Sequence, residues 1–329
     1  MSALAESYDA ALFDLDGVVY LGPYAIEGVP DALAELRATG VRLGFVTNNA
    51  ARTPATVAEH LRELGIDASE TDVVNSTQAT LRLLRQDLPH GARILAVGTE
   101  ALVEQLQGAG FTVVTSRHDE PVAVVQGYHP AIEWRQLDDA ALAIQAGAQW
   151  YATNPDFTRP GPEGLVPGCG AQVGVIQLCV TVTPKMAGKP FRPLLDETVA
   201  RLEAAHPLFV GDRLDTDILG AHNVGMDSLF VFTGAHGKAD LASAAPDHRP
   251  TFIGSSVAAL LQPAREVSVM AGFATCRGHA VDALSGVVHA QSVPDDLEGQ
   301  LDVLWAGLNL AWSEGADVGP LLERLDLVR

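Results

Sequence analysis

Short apolar runs alternate with helix-patterned segments along most of this chain, and that rhythm constrains the fold more than any single residue. "AALFDL" precedes "VPDALAELRATG", whose apolar positions recur at helical spacing and whose Gly40 suits a helix end. "VRLGFVTNN" then reads as a buried strand, and "TPATVAEHLRELG" as a helix with Pro54 in its first turn. "RILAVG", "VAVVQG", "WYATN", "PLFVGD" and "DSLFVFTG" continue the series. Strands alternating with helices predict an α/β fold with a parallel, doubly wound, Rossmann-like sheet. In such sheets ligands bind beyond the carboxyl ends of the strands, so the strand exits are where chemistry is to be sought.

The first exit reads Asp14-Leu15-Asp16-Gly17. Successive side chains of a strand point to opposite faces, so continued strand geometry would put both aspartates on one face. Two like charges there disfavour each other unless a cation or a proton intervenes. A turn cap is the plain reading of such a pair. The chemical one makes Asp14 a nucleophile and metal ligand, and Asp16 a general acid that holds a proton once a cation neutralises its neighbour. The second exit, "FVTNN", offers Thr47 and Asn48 as donors to phosphate oxygens where a loop leads into a helix. Lys189 in "AGKPF" is one of only three lysines beside eighteen arginines. It is either an exposed cation or a point charge for a nucleophile and a transferring phosphoryl group. Last, "PLFVGDRLDTDILGA" runs into Asp212, Asp215 and Asp217, an oxygen-rich cluster of the kind Mg2+ prefers.

Composition narrows the partners. A chain of 329 residues that is 47% hydrophobic has room for a large core and for two domains. A net charge of −20 argues against non-specific nucleic-acid binding and against docking on anionic membranes. It also obliges any site for an anion to supply its own positive charge. The three cysteines show no C-x-x-C spacing and read as thiols of a reducing compartment. The N-terminal residues lack the pattern of a signal peptide, and no run approaches about 18 apolar residues. The expected location is the cytoplasm.

Taken in order, D-x-D-G, T-N, G-K-P and G-D-x-x-x-T-D over residues 8 to 262 resemble the haloacid dehalogenase-like (HAD) superfamily. The resemblance implies that Asp14 forms an aspartyl-phosphate, and that Asp16 protonates the leaving group and then activates water. It implies that Thr47 and Lys189 bind the phosphoryl oxygens. It also implies Mg2+ on the Asp14 carboxylate, the Asp16 backbone carbonyl and Asp212, with Asp217 either an auxiliary ligand or a residue that supports the ligands from behind. Dehalogenases of the superfamily lack the second acid, and its ion pumps carry threonine there. Asp16 therefore implies rapid hydrolysis and a phosphatase.

Only 30 residues separate Asp16 from Thr47, room for the short flap "VVYLGPYAIEG" and one helix. About 140 separate Asn49 from Lys189, room for an inserted α/β unit. That placement resembles the class II cap of the p-nitrophenyl-phosphatase-like branch. The expected organisation is a discontinuous core (1–78 and 184–262), a cap (79–183) and a small C-terminal α+β appendage (263–329). Within the appendage "EVSVMAGFATCRGHAVDALSGVVHAQSV" reads as short antiparallel strands and "DLEGQLDVLWAGLNLAWSEG" as an amphipathic helix. It has no loop suited to a CoA pyrophosphate, so no acetyl transfer is expected; dimerisation, as a homodimer, and regulation stay open for it. In the cap, His129 stands where the branch commonly has aspartate, and reads as a packing histidine or a substrate contact. Asn154 and Arg159, on the Pro/Gly-rich loop "TNPDFTRPGPEGLVPGCG", are further substrate-facing candidates. A large cap favours a small phosphorylated metabolite. Glycerol 3-phosphate or 2-phosphoglycolate comes first; nucleotide monophosphates, sugar phosphates and pyridoxal phosphate follow. A non-enzymatic phospho-acceptor or binding protein is the distant alternative, opposed by Asp16 and by the length of the insertion.

Overall fold

The computed structural model describes residues 2–161 and 164–329, which fall into two compact units. The first comprises the residues up to Leu43, Leu64–Ile66 and Ala204–Arg329; the second comprises Gly44–Glu63 and Asp67–Glu203.

In the first unit four parallel strands lie side by side: Phe252–Gly254, Asp227–Val231, Pro207–Gly211 and Ala10–Phe13. All four residues of "AALF" are buried, as expected of a parallel strand covered on both faces. The helix Val29–Ala38 buries Val29, Ala32, Leu33 and Leu36, one stripe at helical spacing. The flap residues form a small hairpin, Tyr20–Leu21 against Tyr24–Ala25.

The C-terminal segment belongs to this unit too. Strands Val267–Met270, Phe273–Cys276, His279–Asp282 and His289–Ala290 make an antiparallel sheet. The helix Leu297–Glu314 that follows is not amphipathic as its sequence suggests, since every residue from Gly299 to Leu308 is buried. It packs against that sheet and also against Phe252–Gly254, so both its faces are covered. One apolar cluster runs from Phe230 and Ile253 through Ala274 and Val281 to Leu304 and Trp305. Full burial forces partners on the helix's polar residues. Asp302 pairs with Arg265 at 2.9 Å, the side chains only 8% and 3% exposed. Arg265 also pairs with Glu298, so removing Asp302 takes away one of the two carboxylates that balance a buried cation. Asp302→Ala is expected to cost about 2 kcal/mol, read as a fall in the urea midpoint; an unchanged midpoint would show that the pair contributes nothing.

The second unit holds a five-stranded parallel sheet: Lys185–Met186, Gln149–Ala152, Ala123–Gln126, Arg93–Val97 and Thr112–Val114. Thr47 ends the strand Arg42–Thr47, which pairs in parallel with Val73–Asn75. Helix Ser76–Asp87 starts with a reciprocal cap. Asn75 Oδ1 accepts from Gln78 N at 3.0 Å, and Gln78 Oε1 from Asn75 N at 3.1 Å. Part of the Pro/Gly-rich stretch read as a loop is instead a hairpin, Thr158–Gly161 paired with Gly164–Pro167. Residues 162 and 163 of that stretch lie outside the described residues. Among the described residues no helix is long and apolar enough to cross a membrane.

Candidate active site

Register brings the acidic residues of the first unit together. Phe13, the last residue of its strand, lies beside Val210, and the parallel partner strand ends one residue later at Gly211. Asp14 and Asp212 therefore leave the sheet as neighbours, roughly one strand spacing apart. One turn of π-helix, Leu214–Ile218, then folds Asp217 back beneath them. Its Oδ2 accepts from Asp212 N at 3.2 Å and from Arg213 N at 3.1 Å. Asp14, Asp212 and Asp217 are all buried, and one carboxylate oxygen from each lies within 4.8 Å of the others. Three carboxylates this close repel one another without a cation, and an all-oxygen donor set fits a hard divalent ion such as Mg2+.

Two glycines clear space for this cluster. Gly17 has φ +90°, and a Cβ there would sit 2.5 Å from Asp212 Oδ2. At Gly234 the same oxygen would be 1.9 Å away, so only glycine fits. The loop carrying Gly234 also supplies donors: Ala235 N–H to Asp212 Oδ2 at 2.5 Å, and Thr233 Oγ1 to the Gly17 carbonyl at 2.6 Å.

Asp16 departs from the strand-based expectation. The strand stops at Phe13, and the chain turns at once, with the N–H groups of Val18, Val19 and Tyr20 all donating to the Leu15 carbonyl. Strand alternation therefore does not govern the pair: Asp14 is buried and Asp16 exposed. Asp215, between Asp212 and Asp217, is held by Arg213 through bonds of 3.1 and 2.8 Å. Burial pushes its carboxyl up, but Arg213, with help from His236 and a backbone N–H, keeps it below the usual carboxylate range.

The second unit assembles the other candidates. Lys189 is only 2% exposed, Thr47 4%, Asn154 4% and Asn48 8%. Asn48 ties the group together: its Nδ2 donates to Asp156 Oδ1 and to the Lys189 carbonyl, and its Oδ1 accepts from Lys189 N at 2.8 Å. Its own carbonyl accepts from Asn154 Nδ2 at 2.7 Å and from Ser76 Oγ at 2.7 Å. The Asn48 side chain thus fixes the backbone of Lys189, and the Asn154 side chain that of Asn48. Thr47 Oγ1 accepts from Asn49 N at 3.1 Å, a bond that leaves the hydroxyl hydrogen unused. Ser76 escapes sequence reasoning because it belongs to no chemically distinctive pattern; Asp156 closes the family-like run "TNPD" but is not among the residues that sequence reasoning singles out.

His129 and Arg159 belong to the same unit. His129 Nδ1 accepts from Ala131 N at 3.0 Å, which puts the neutral ring's proton on Nε2, and Gln172 holds the residue's backbone from both sides. The exposed Arg159 lies over the Tyr128 ring, 4.8 Å from its centroid.

Family models for a haloacid dehalogenase-like hydrolase and for a HAD-hydrolase-like region match residues 11–112 and 186–260. The D-glycerol 3-phosphate phosphatase of Mycobacterium tuberculosis is 42% identical over 91% of this chain and 83% of its own. The chain belongs to the haloacid dehalogenase-like hydrolases. An acid sugar phosphatase of Staphylococcus aureus is 35% identical over 70% of the chain and 88% of its own. Among solved HAD-like structures, the Mycobacterium tuberculosis glycerol phosphate phosphatase in complex with magnesium matches with a TM-score of 0.88 at 38% identity, covering 99% of this chain and 100% of that one. A p-nitrophenyl phosphatase from Archaeoglobus fulgidus gives 0.72 at 26% identity, covering 78% of this chain and 98% of that one. Both motif-bearing stretches of this HAD-like chain, Asp14–Asn48 and Lys189–Asp217, fall within the regions the family models match.

Proposed function

We propose that this protein is a Mg2+-dependent phosphatase of small phosphomonoesters whose preferred substrate is glycerol 3-phosphate. The buried Asp14–Asp212–Asp217 cluster is the observation that supports the reaction. The likeness to the Mycobacterium tuberculosis enzyme supports the substrate. In this reading residues 79–183 form a cap domain and 1–78 with 184–262 a core domain, with 263–329 appended. Three unbridged cysteines agree with a cytoplasmic enzyme.

Asp14, Asp212 and Asp217 would hold Mg2+, with the Asp16 carbonyl as a further ligand. A cation held there would screen the incoming phosphate's charge from the carboxylates and offset charge that develops on the phosphoryl oxygens. An Asp14 carboxylate oxygen attacks phosphorus, and Asp16 delivers its proton to the departing ester oxygen. Asp16, now a carboxylate, takes a proton from the water that attacks the Asp14-bound phosphorus, and inorganic phosphate leaves. Lys189 and the Thr47 hydroxyl bind phosphoryl oxygens, giving an acidic protein the local positive charge an anionic substrate requires. His129, Asn154 and Arg159 are the cap residues proposed to bear on the choice of substrate.

Phosphate release from a panel tests the reading: both glycerol 3-phosphate enantiomers, 2-phosphoglycolate, nucleoside monophosphates, sugar phosphates, pyridoxal 5′-phosphate and p-nitrophenyl phosphate. Glycerol 3-phosphate is expected to exceed the other metabolites in kcat/KM by at least about tenfold. Chelation should abolish turnover and added Mg2+ restore it. A sugar phosphate in first place would move the substrate toward that of the Staphylococcus aureus relative.

A further inference from the structure

The segment 263–329 lies beyond both family-model matches, and its last residues reach the loop that holds Asp212. We propose that Leu325–Arg329 is a positioning element for the metal-binding carboxylates, acting through the peptide group between Gly234 and Ala235. The proposal rests on the reading of Asp14, Asp212 and Asp217 as ligands of a divalent cation.

That peptide is a single planar unit with a hydrogen bond at each end. Its N–H, from Ala235, donates to Asp212 Oδ2 at 2.5 Å. Its C=O, from Gly234, accepts from the Arg329 guanidinium. A cationic donor on the carbonyl polarises the peptide and strengthens the N–H as a donor, so the two bonds support each other. Rotating the peptide would break both. Asp212 is therefore oriented by a backbone group, and that backbone group is oriented by Arg329.

The same loop is fixed on either side of this peptide. His236 N donates to the Asp212 carbonyl at 3.3 Å, and His236 Nδ1 accepts from Leu214 N at 2.9 Å, tying the loop to the turn that carries Asp217. Lys238 N donates to the Arg329 main-chain oxygen at 2.7 Å, and Lys238 Nζ donates to the Leu325 carbonyl. Leu325 and Val328 are buried, and Gln300 of the buried C-terminal helix grips the residues between them. Its Nε2 donates to Asp326 Oδ1 at 2.8 Å, and its Oε1 accepts from Leu327 N at 2.9 Å. A continuous path of hydrogen bonds thus runs from the core of the added segment to a carboxylate of the cluster. Partners that orient a metal ligand commonly govern metal affinity. The added segment, on this geometry, tunes how tightly the cation is held.

The experiment uses the full chain and its Arg329→Ala and Arg329→Lys variants. Mn2+ uptake is followed by the electron paramagnetic resonance signal of the free ion, with Mg2+ as competitor, and thermal melts are recorded in chelator. Arg329→Ala is expected to bind Mn2+ about tenfold more weakly, and Arg329→Lys, which keeps a cationic donor, to recover part of that loss. An Arg329→Ala protein that binds Mn2+ like the wild type overturns the proposal, whether or not its melting temperature falls. Wild-type protein that takes up no Mn2+, or Asp212→Asn that takes it up normally, would instead strike the cation reading itself.

Discussion

Asp14→Asn is expected to lower kcat for every phosphomonoester by about a thousandfold or more while leaving the fold intact. The replacement is isosteric, and the position is buried beside Asp212 and Asp217. It removes one negative charge from a crowded cluster, so no folding penalty is anticipated. On the proposed mechanism it removes the nucleophile, because a neutral amide oxygen does not displace an alkoxide from phosphorus. Losses of this order follow removal of a covalent nucleophile from other enzymes. Circular dichroism and a thermal melt establish the fold, and phosphate release at saturating Mg2+ establishes the loss. Turnover near the wild-type rate in a folded Asp14→Asn protein would mean that water attacks phosphorus directly.

Asp16→Asn should produce a different defect. Asp16 is exposed on the turn after Asp14 and lies outside the Asp14–Asp212–Asp217 group, as a residue that exchanges protons with substrate and water requires. Loss of general acid–base help costs about 10²- to 10⁴-fold. The loss should depend on the leaving group. p-Nitrophenolate departs without a proton, so transfer to Asp14 survives with that ester and the water-attack step becomes limiting. Rapid mixing of Asp16→Asn with p-nitrophenyl phosphate is expected to give a burst of nitrophenolate approaching one per active site, followed by a slow phase. Glycerol 3-phosphate, whose alkoxide needs the proton, should show the loss without the burst. Equal losses on both esters and no burst would deny Asp16 the proton-transfer role.

The order of the strand-end motifs made the fold class and the acidic cluster legible in advance. Parallel strands with side chains buried on both faces read as unbroken apolar runs, and "AALF" and "PLFVG" do so plainly. Residues just past such runs share one edge of a sheet, so Asp14 and Asp212 could be paired before any coordinates. The three-residue strands Val73–Asn75 and Phe252–Gly254 were illegible because runs that short carry no periodicity. The C-terminal helix misled for another reason. Its sequence mixes Asp302 and Gln300 into an apolar stretch, and polar residues normally mark a solvent face. Here buried partners, Arg265 for one and the Asp326–Leu327 backbone and carboxylate for the other, take the place of water. Long-range pairings of that kind have no local signature. The Gly234–Ala235 loop was equally hidden, since a Thr-Gly after a strand is common and only its distance to Asp212 reveals its use.

The central claim is that phosphate passes through Asp14, and it can be read directly on the protein. Asp16→Asn enzyme mixed with p-nitrophenyl phosphate and Mg2+, quenched in acid and weighed intact, should carry the added mass of one phosphoryl group. Peptide mapping should locate it on Asp14, and hydroxylamine should remove it, as expected of an acyl phosphate. A phosphoryl group on any other residue, or none at all in enzyme that is visibly releasing nitrophenolate, would contradict the account.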